Sequence, residues 1–320
     1  MRVGHAIVVF AWALLAGCAT AEPRSLAWHI VPGTLQPNRG PDGNSIFLDA
    51  RDGLILVDTG RHPEHRDRLL DYAQSRGQPV AAIVNTHWHL DHTTGNAELR
   101  AAFPQAPVYA SGAIDGALRG FLANSRRQTE AALAAGRIPE ASLPEVRRAF
   151  GVMDNPDSLR PTRPINASGE VEIAGRRLRV NLARFAATEG DVWIHDPEAG
   201  LVIAGDLVVA AIPFFDTACP DGWRGALNEI AATPFDTLIP GHGAPMTKTQ
   251  FLQWRSAFNN LLDCAASSAE QQVCVEGWHR DAAQFITDDR AMITQLLRYY
   301  LGSRLRAASE ERTRYCRPQT

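Results

Sequence analysis

The segment VAAIVNTHWHLDH, residues 80–92, constrains this chain more than any other. A short apolar, β-branched run reads as a buried strand. It runs straight into His87, His89, Asp91 and His92, four candidate metal ligands within six positions. His87 and His89 are two residues apart, so on extended backbone their side chains face the same way. Asp91 and His92 follow where the chain turns toward a helix. Imidazole with carboxylate suits zinc and related divalent ions. A histidine-rich polar turn is the plain alternative, and four ligand types directly behind a buried strand speak against it.

Two further strand ends repeat the pattern. Asp206 closes LVIAGD and His242 closes LIPGH. An ionised carboxylate behind an apolar run needs a partner, and a cation supplies one. Either residue alone would read as a turn residue; beside the first cluster both read as ligands.

Periodicity places these segments in a layered α/β domain. NSIFLDARDGLILVDTG predicts two strands around a turn at Arg51-Asp52-Gly53, and HRDRLLDYAQSRG a helix ended by Gly77. Strands are also expected in APVYAS, EVEIAG, RRLRVNLARF, DVWIHD, GLVIAGDLVV and FDTLIPGHG, with a helix over DGWRGALNEIAA. Residues 114–150 read as a helical insertion, and Lys248 to Ala308 as mostly helical. The expected division is a domain over 28–255 and a C-terminal helical extension over 256–320.

Residues 1–17, with Arg2 ahead of an apolar run from Ala6 to Gly17, read as a secretory signal, too short for an ordinary membrane span. The run ends Leu15-Ala16-Gly17-Cys18, which is similar to a bacterial lipobox. Cys18 is then the expected lipidation site and residues 18–27 a tether. The protein is expected to be exported to the periplasm and anchored by its lipid to the outer membrane. Cleavage after Ala19-Thr20-Ala21 is the alternative, and it too exports the chain. Four cysteines remain, and an even number in an exported chain suggests disulfides. Cys264 with Cys274 would close a short loop, and Cys219 with Cys316 would tie back the tail; four buried thiols are the other option. With 32 Lys and Arg against 35 Asp and Glu and no basic run, nucleic acid is not an expected partner.

THWHLDH, Gly205-Asp206, Pro240 to Gly243 (PGHG) and LVDTG ending at Gly60 together resemble the metallo-β-lactamase superfamily over roughly residues 28–255. The resemblance implies a four-layer αββα sandwich with a metal site at one edge of two facing sheets. It implies a first metal on His87 and His89, and a second on Asp91, His92 and His242, with Asp206 as bridge. The implied cofactor is zinc, one or two ions per chain.

The chain departs from the family at one position. The third histidine of the first site should stand where ATEGD has Ala187. Catalytic zinc usually keeps three protein ligands and an open position, so the second site is expected to hold its ion more tightly. Glu189, His195, His62 or His65 could substitute, and a His→Ala replacement is also what deliberate inactivation leaves behind.

The implied function is a metal-dependent hydrolase of the cell envelope, in which a water activated by the ion attacks an ester, thioester, lactone or lactam of a small-molecule substrate. Asp91 would both ligate metal and orient the nucleophile. The Asp206 bridge resembles glyoxalase-like members more than dedicated β-lactamases. The alternative is a catalytically weakened binding protein. A sulfur dioxygenase with one iron is a third reading, and it would need the missing histidine. Phe214, Phe215 and Trp223 could wall the site mouth, although ordinary packing is the expected role; Trp88 is expected to pack beneath the metal loop.

Overall fold

The computed structural model describes residues 27–34, 39–287 and 289–318. The signal segment and Cys18 lie outside the described residues.

Two six-stranded sheets face each other. The first runs in the order β1 (Trp28–Val31), β2 (Ser45–Ala50), β3 (Gly53–Val57), β4 (Val80–Val84), β5 (Val108–Ser111), β6 (Arg163–Ile165). The second holds β7 (Gly169–Ile173), β8 (Arg176–Arg184), β9 (Gly190–Asp196), β10 (Leu201–Val209), β11 (Thr237–His242) and β12 (Met246–Thr247), in reverse order across the sheet. Pairing from β3 to β6 is parallel, as is β10 with β11; the other pairs are antiparallel. The parallel steps need crossovers, supplied by helix Pro63–Arg76 between β3 and β4 and helix Pro220–Ala232 between β10 and β11.

Alternate strand residues feed different layers, as a period of two requires. Ile55 and Val57 join Val84, Val192, Ile203 and Ile239 between the sheets. Leu54 and Leu56 face Leu69 and Ala73 of helix Pro63–Arg76 on the outer side. On the far side Trp193, Val202 and Ala204 pack with Trp223, Trp254, Phe258 and Trp278. This is the expected αββα sandwich. Burial on both faces explains why β3 and β10 are apolar without alternation.

The expected insertion folds as helices Ile114–Arg119, Phe121–Ala134 and Leu143–Asp154. Residue 255 lies inside helix Lys248–Ala266, which opens with a capping box at Thr247 and Gln250. The helices after it share one apolar cluster with the second sheet. Their indole nitrogens also serve the loop after β10. Trp254 Nε1 donates to the carbonyls of Val209 and Ala210, each at 3.1 Å, and Trp278 Nε1 to that of Ala211 at 3.0 Å. Arg304 Nε donates to Phe215 O at 3.1 Å. Both expected disulfides form, Cys219–Cys316 and Cys264–Cys274. Among the described residues, no helix is long and apolar enough to cross a membrane.

Strands β1 and β6 carry no clear sequence signal. Both are edge strands, four and three residues long, and β6 contains Pro164, which an edge tolerates.

Candidate metal centre

The six expected ligands converge at one edge of the sandwich. His87 follows β4, His89 caps the short helix Leu90–Thr93 that carries Asp91 and His92, Asp206 lies in β10, and His242 ends β11. Two groups form, with ligand atoms of each within 4.8 Å of one another: Asp91, His92, Asp206 and His242; and His87, His89 and Asp206. Asp206 belongs to both. Its Oδ1 is 3.2 Å from His92 Nε2 and 3.4 Å from His242 Nε2, and its Oδ2 is 3.7 Å from His87 Nε2. Asp91 Oδ2 is 3.1 Å from His242 Nε2.

Gly205 makes this approach possible. Its φ is +53°, and a Cβ there would stand 2.6 Å from Thr86 Cβ. The glycine therefore lets β10 bulge against the loop that carries His87.

Hydrogen accounting shows which ring nitrogens face the centre. Asp58, held at φ +60°, accepts from Thr86 N at 2.8 Å, from Thr86 Oγ1 at 2.7 Å and from His92 Nδ1 at 2.8 Å. Because the single Thr86 hydroxyl proton goes to Asp58, its oxygen accepts from His87 Nδ1, 3.1 Å away. Thr217 repeats the device. Its hydroxyl donates to Ala187 O at 3.0 Å, so it accepts from His89 Nε2 at 2.9 Å. The outward nitrogens of three imidazoles are thus tied, and in the neutral rings His87 Nε2, His89 Nδ1 and His92 Nε2 carry the lone pairs. Such outer partners fix tautomer and ring orientation of metal-binding histidines.

The donor set fits a divalent cation. His87 Nε2 and both carboxylate oxygens of Asp206 are buried without any hydrogen-bond partner, which is costly for a carboxylate unless a cation compensates. Two imidazole nitrogens, His92 Nε2 and His242 Nε2, face each other at 3.3 Å. Burial opposes charge on His92, yet the carboxylates of Asp206, Asp58 and Asp91 overcome it and push its pKa well above the ordinary value. Burial likewise opposes charge on His242, which Asp206 and Asp91 nevertheless push up to about 9. His87 goes the other way: burial, then neighbouring His92 and His89, hold it well below the ordinary value.

Ala187 is buried, and its segment is braced by hydrogen bonds on both sides. Thr188 N and Oγ1 donate to Asp191 at 2.8 and 3.0 Å. Val192 N donates to Thr86 O at 2.6 Å, which fastens the segment against the histidine loop. Among the described residues, Glu189, His195, His62 and His65 join neither ligand group. His62 is held by Asp42 at 2.6 Å, and His65 by Ser45 at 2.8 Å and Arg68 at 2.9 Å. The first group therefore offers three donors and the second four.

A cavity of about 820 Å³ opens on His89, Asp91 and His242. Phe215 and Trp223 take the expected packing role in the core, whereas Phe214 lines the cavity. Trp88 packs with Ile114 and Leu122 of the insertion and with Leu159 beyond it, and also borders the cavity. Two contributors escape sequence reading. Asp58 had a signal in LVDTG; Thr217 had none.

A sequence profile described as the metallo-beta-lactamase superfamily matches residues 39–242. A linear primary-alkylsulfatase of Pseudomonas sp. is 22% identical over 223 residues, 63% of this chain and 41% of that protein. A hydroxyacylglutathione hydrolase of Synechococcus sp. is 41% identical over 178 residues, 55% of this chain and 54% of that protein. The chain thus spans about half the length of the curated relatives it matches. Among solved structures, a sec-alkyl sulfatase aligns with a TM-score of 0.59 at 18% identity, covering 81% of this chain and 47% of that one. The metallo-beta-lactamase FIM-1 from Pseudomonas aeruginosa aligns at 0.52 and 17%, covering 72% and 90%. The fold, the profile match and the convergence of six candidate ligand residues at the sheet edge lead to one statement: the chain belongs to the metallo-beta-lactamase superfamily.

Proposed function

We propose that this protein is a zinc-dependent hydrolase of the bacterial cell envelope, cleaving an ester, thioester, lactone or lactam of a small molecule. The observation that carries the reading is Asp206, a buried carboxylate neither of whose oxygens has a hydrogen-bond partner, facing imidazoles of which three have their outward nitrogens tied. The nitrogen and carboxylate donors suit zinc. Two relatives support hydrolysis, one named a linear primary-alkylsulfatase and one a hydroxyacylglutathione hydrolase.

His87, His89 and Asp206 would hold one ion, and Asp91, His92, His242 and Asp206 the other, the second more tightly because it has one more donor. A bound ion would supply Lewis acidity toward a carbonyl oxygen and lower the pKa of water. Asp91 lines the cavity and orients the attacking water. That water adds to the acyl carbon, the bond to the leaving group breaks, and the leaving group takes up the proton. The buried histidine loop excludes bulk water from behind.

The envelope assignment is supported by the two disulfides and the lipobox-like Cys18. The test is zinc content and turnover of a generic ester, for the parent and for Asp206→Asn. The parent should carry at least one equivalent and turn over; the variant should lose most of both. Zinc without turnover would favour the weakened binding protein, for which Ala187 speaks.

A further inference from the structure

We propose that the substrate presents an uncharged, chain-like apolar group, taken up between the helical insertion and the C-terminal helices. This deepens the hydrolase reading and rests on it. The apolar surface begins at the metal ligands themselves. The Phe121 ring lies 6.5 Å from that of His89, and the Phe214 ring 5.6 Å from that of His242. From there one wall continues along Phe150 and Met153 of the insertion, the other along Met292 and Leu296 of helix Arg290–Tyr300. A cavity of about 820 Å³ with such walls takes up most of a ligand's surface and favours apolar bodies.

Charge decides against an anionic body. Among the described residues lining the cavity, Arg61 is the one Lys or Arg, against the carboxylates of Asp42, Asp91, Glu145 and Asp216. Arg61 is already engaged, with Nη1 3.0 Å from Glu145 and Nη2 4.0 Å from Asp91. Away from the metal ligands, a glutathione group, with two carboxylates and one ammonium, would meet like charge, and Arg61 is already paired. The second wall lies beyond residues 39–242, the segment that the family profile matches.

The experiment uses the full chain loaded with zinc and p-nitrophenyl esters from acetyl through octanoyl to dodecanoyl. kcat/KM should rise by up to about fourfold per methylene as far as octanoyl, the limit set by burial of each CH2. Octanoyl-N-acetylcysteamine should be cleaved faster than S-octanoylglutathione, which differs by its charged group. Ala149→Phe, which places a ring on the insertion wall, should lower the octanoyl rate more than the acetyl rate. A flat chain-length series, or preference for the glutathione thioester, overturns the proposal. If no ester is cleaved, the hydrolase reading fails instead, and calorimetry with uncleavable amides still decides the pocket. Tighter binding of N-methyloctanamide than of N-methylacetamide upholds it; equal binding overturns it.

Discussion

Thr217→Val tests the hydrogen accounting at the first ligand group. Valine keeps the shape of threonine and removes only the hydroxyl. At a residue 1% exposed, no water replaces it. Two bonds are lost, to Ala187 O at 3.0 Å and from His89 Nε2 at 2.9 Å. Each buried group left unpaired costs about 1–3 kcal/mol. The second effect is specific. Without an acceptor at Nε2, the His89 proton can move to Nδ1, the nitrogen that should face the ion. Loss of such an outer partner lowers metal affinity by about 10–100-fold. The assay is zinc competition with a chromophoric chelator, run beside thermal unfolding of the metal-free protein. Thr217→Val should weaken zinc binding in that range, and Thr217→Ser, which restores the hydroxyl, should recover it. If metal-free stability falls while zinc affinity is unchanged, the hydroxyl only supports the fold and the tautomer argument is wrong.

Ala187→His should add a third imidazole to the first group and raise zinc toward two equivalents per chain; unchanged stoichiometry, measured by elemental analysis, would show that the segment cannot aim a ligand at the centre. His65 gives a pH signature. Burial, with Arg68 adding to it, pushes its pKa down to about 4 from 6.5. The unfolded chain takes up the proton first as pH falls, so the stability contributed by neutral His65 is complete above 6.5 and lost down to about 4, about 3 kcal/mol in total. Urea unfolding across that range should show the slope, and His65→Gln should flatten it. Of the disulfides, Cys219–Cys316 spans 97 residues and Cys264–Cys274 spans 10. The chain-entropy argument assigns about 5 and about 3 kcal/mol, so the paired serine variant of the longer link should unfold at the lower denaturant concentration.

The candidate metal ligands were legible because each sits where local pattern changes abruptly, at a strand end or within a run of ligand types. Asp206 stood out as a charge behind LVIAG, and His242 as the end of LIPG. What escaped depends on tertiary approach. Nothing near Thr217 in sequence tells that it will meet His89, 128 residues away. Asp42 and His62 pair through a loop that precedes β2. Phe214 and Phe215 are adjacent and equally apolar, yet one lines the cavity and the other is core. Only the turn of the loop separates them.

The helices after β12 have a consequence for what can be cut away. Residues 39–242 hold every candidate ligand and the match to the family profile. Folding draws its boundary elsewhere. A fragment ended at 242 would strip Trp254, Phe258 and Trp278 from the outer face of the second sheet. The carbonyls of residues 209–211 and 215 would lose their donors just ahead of Thr217. It would display a large apolar face, and such faces associate. In this chain the segment that marks the family is shorter than the cooperative unit, and the helices beyond it brace the loop that leads to Thr217.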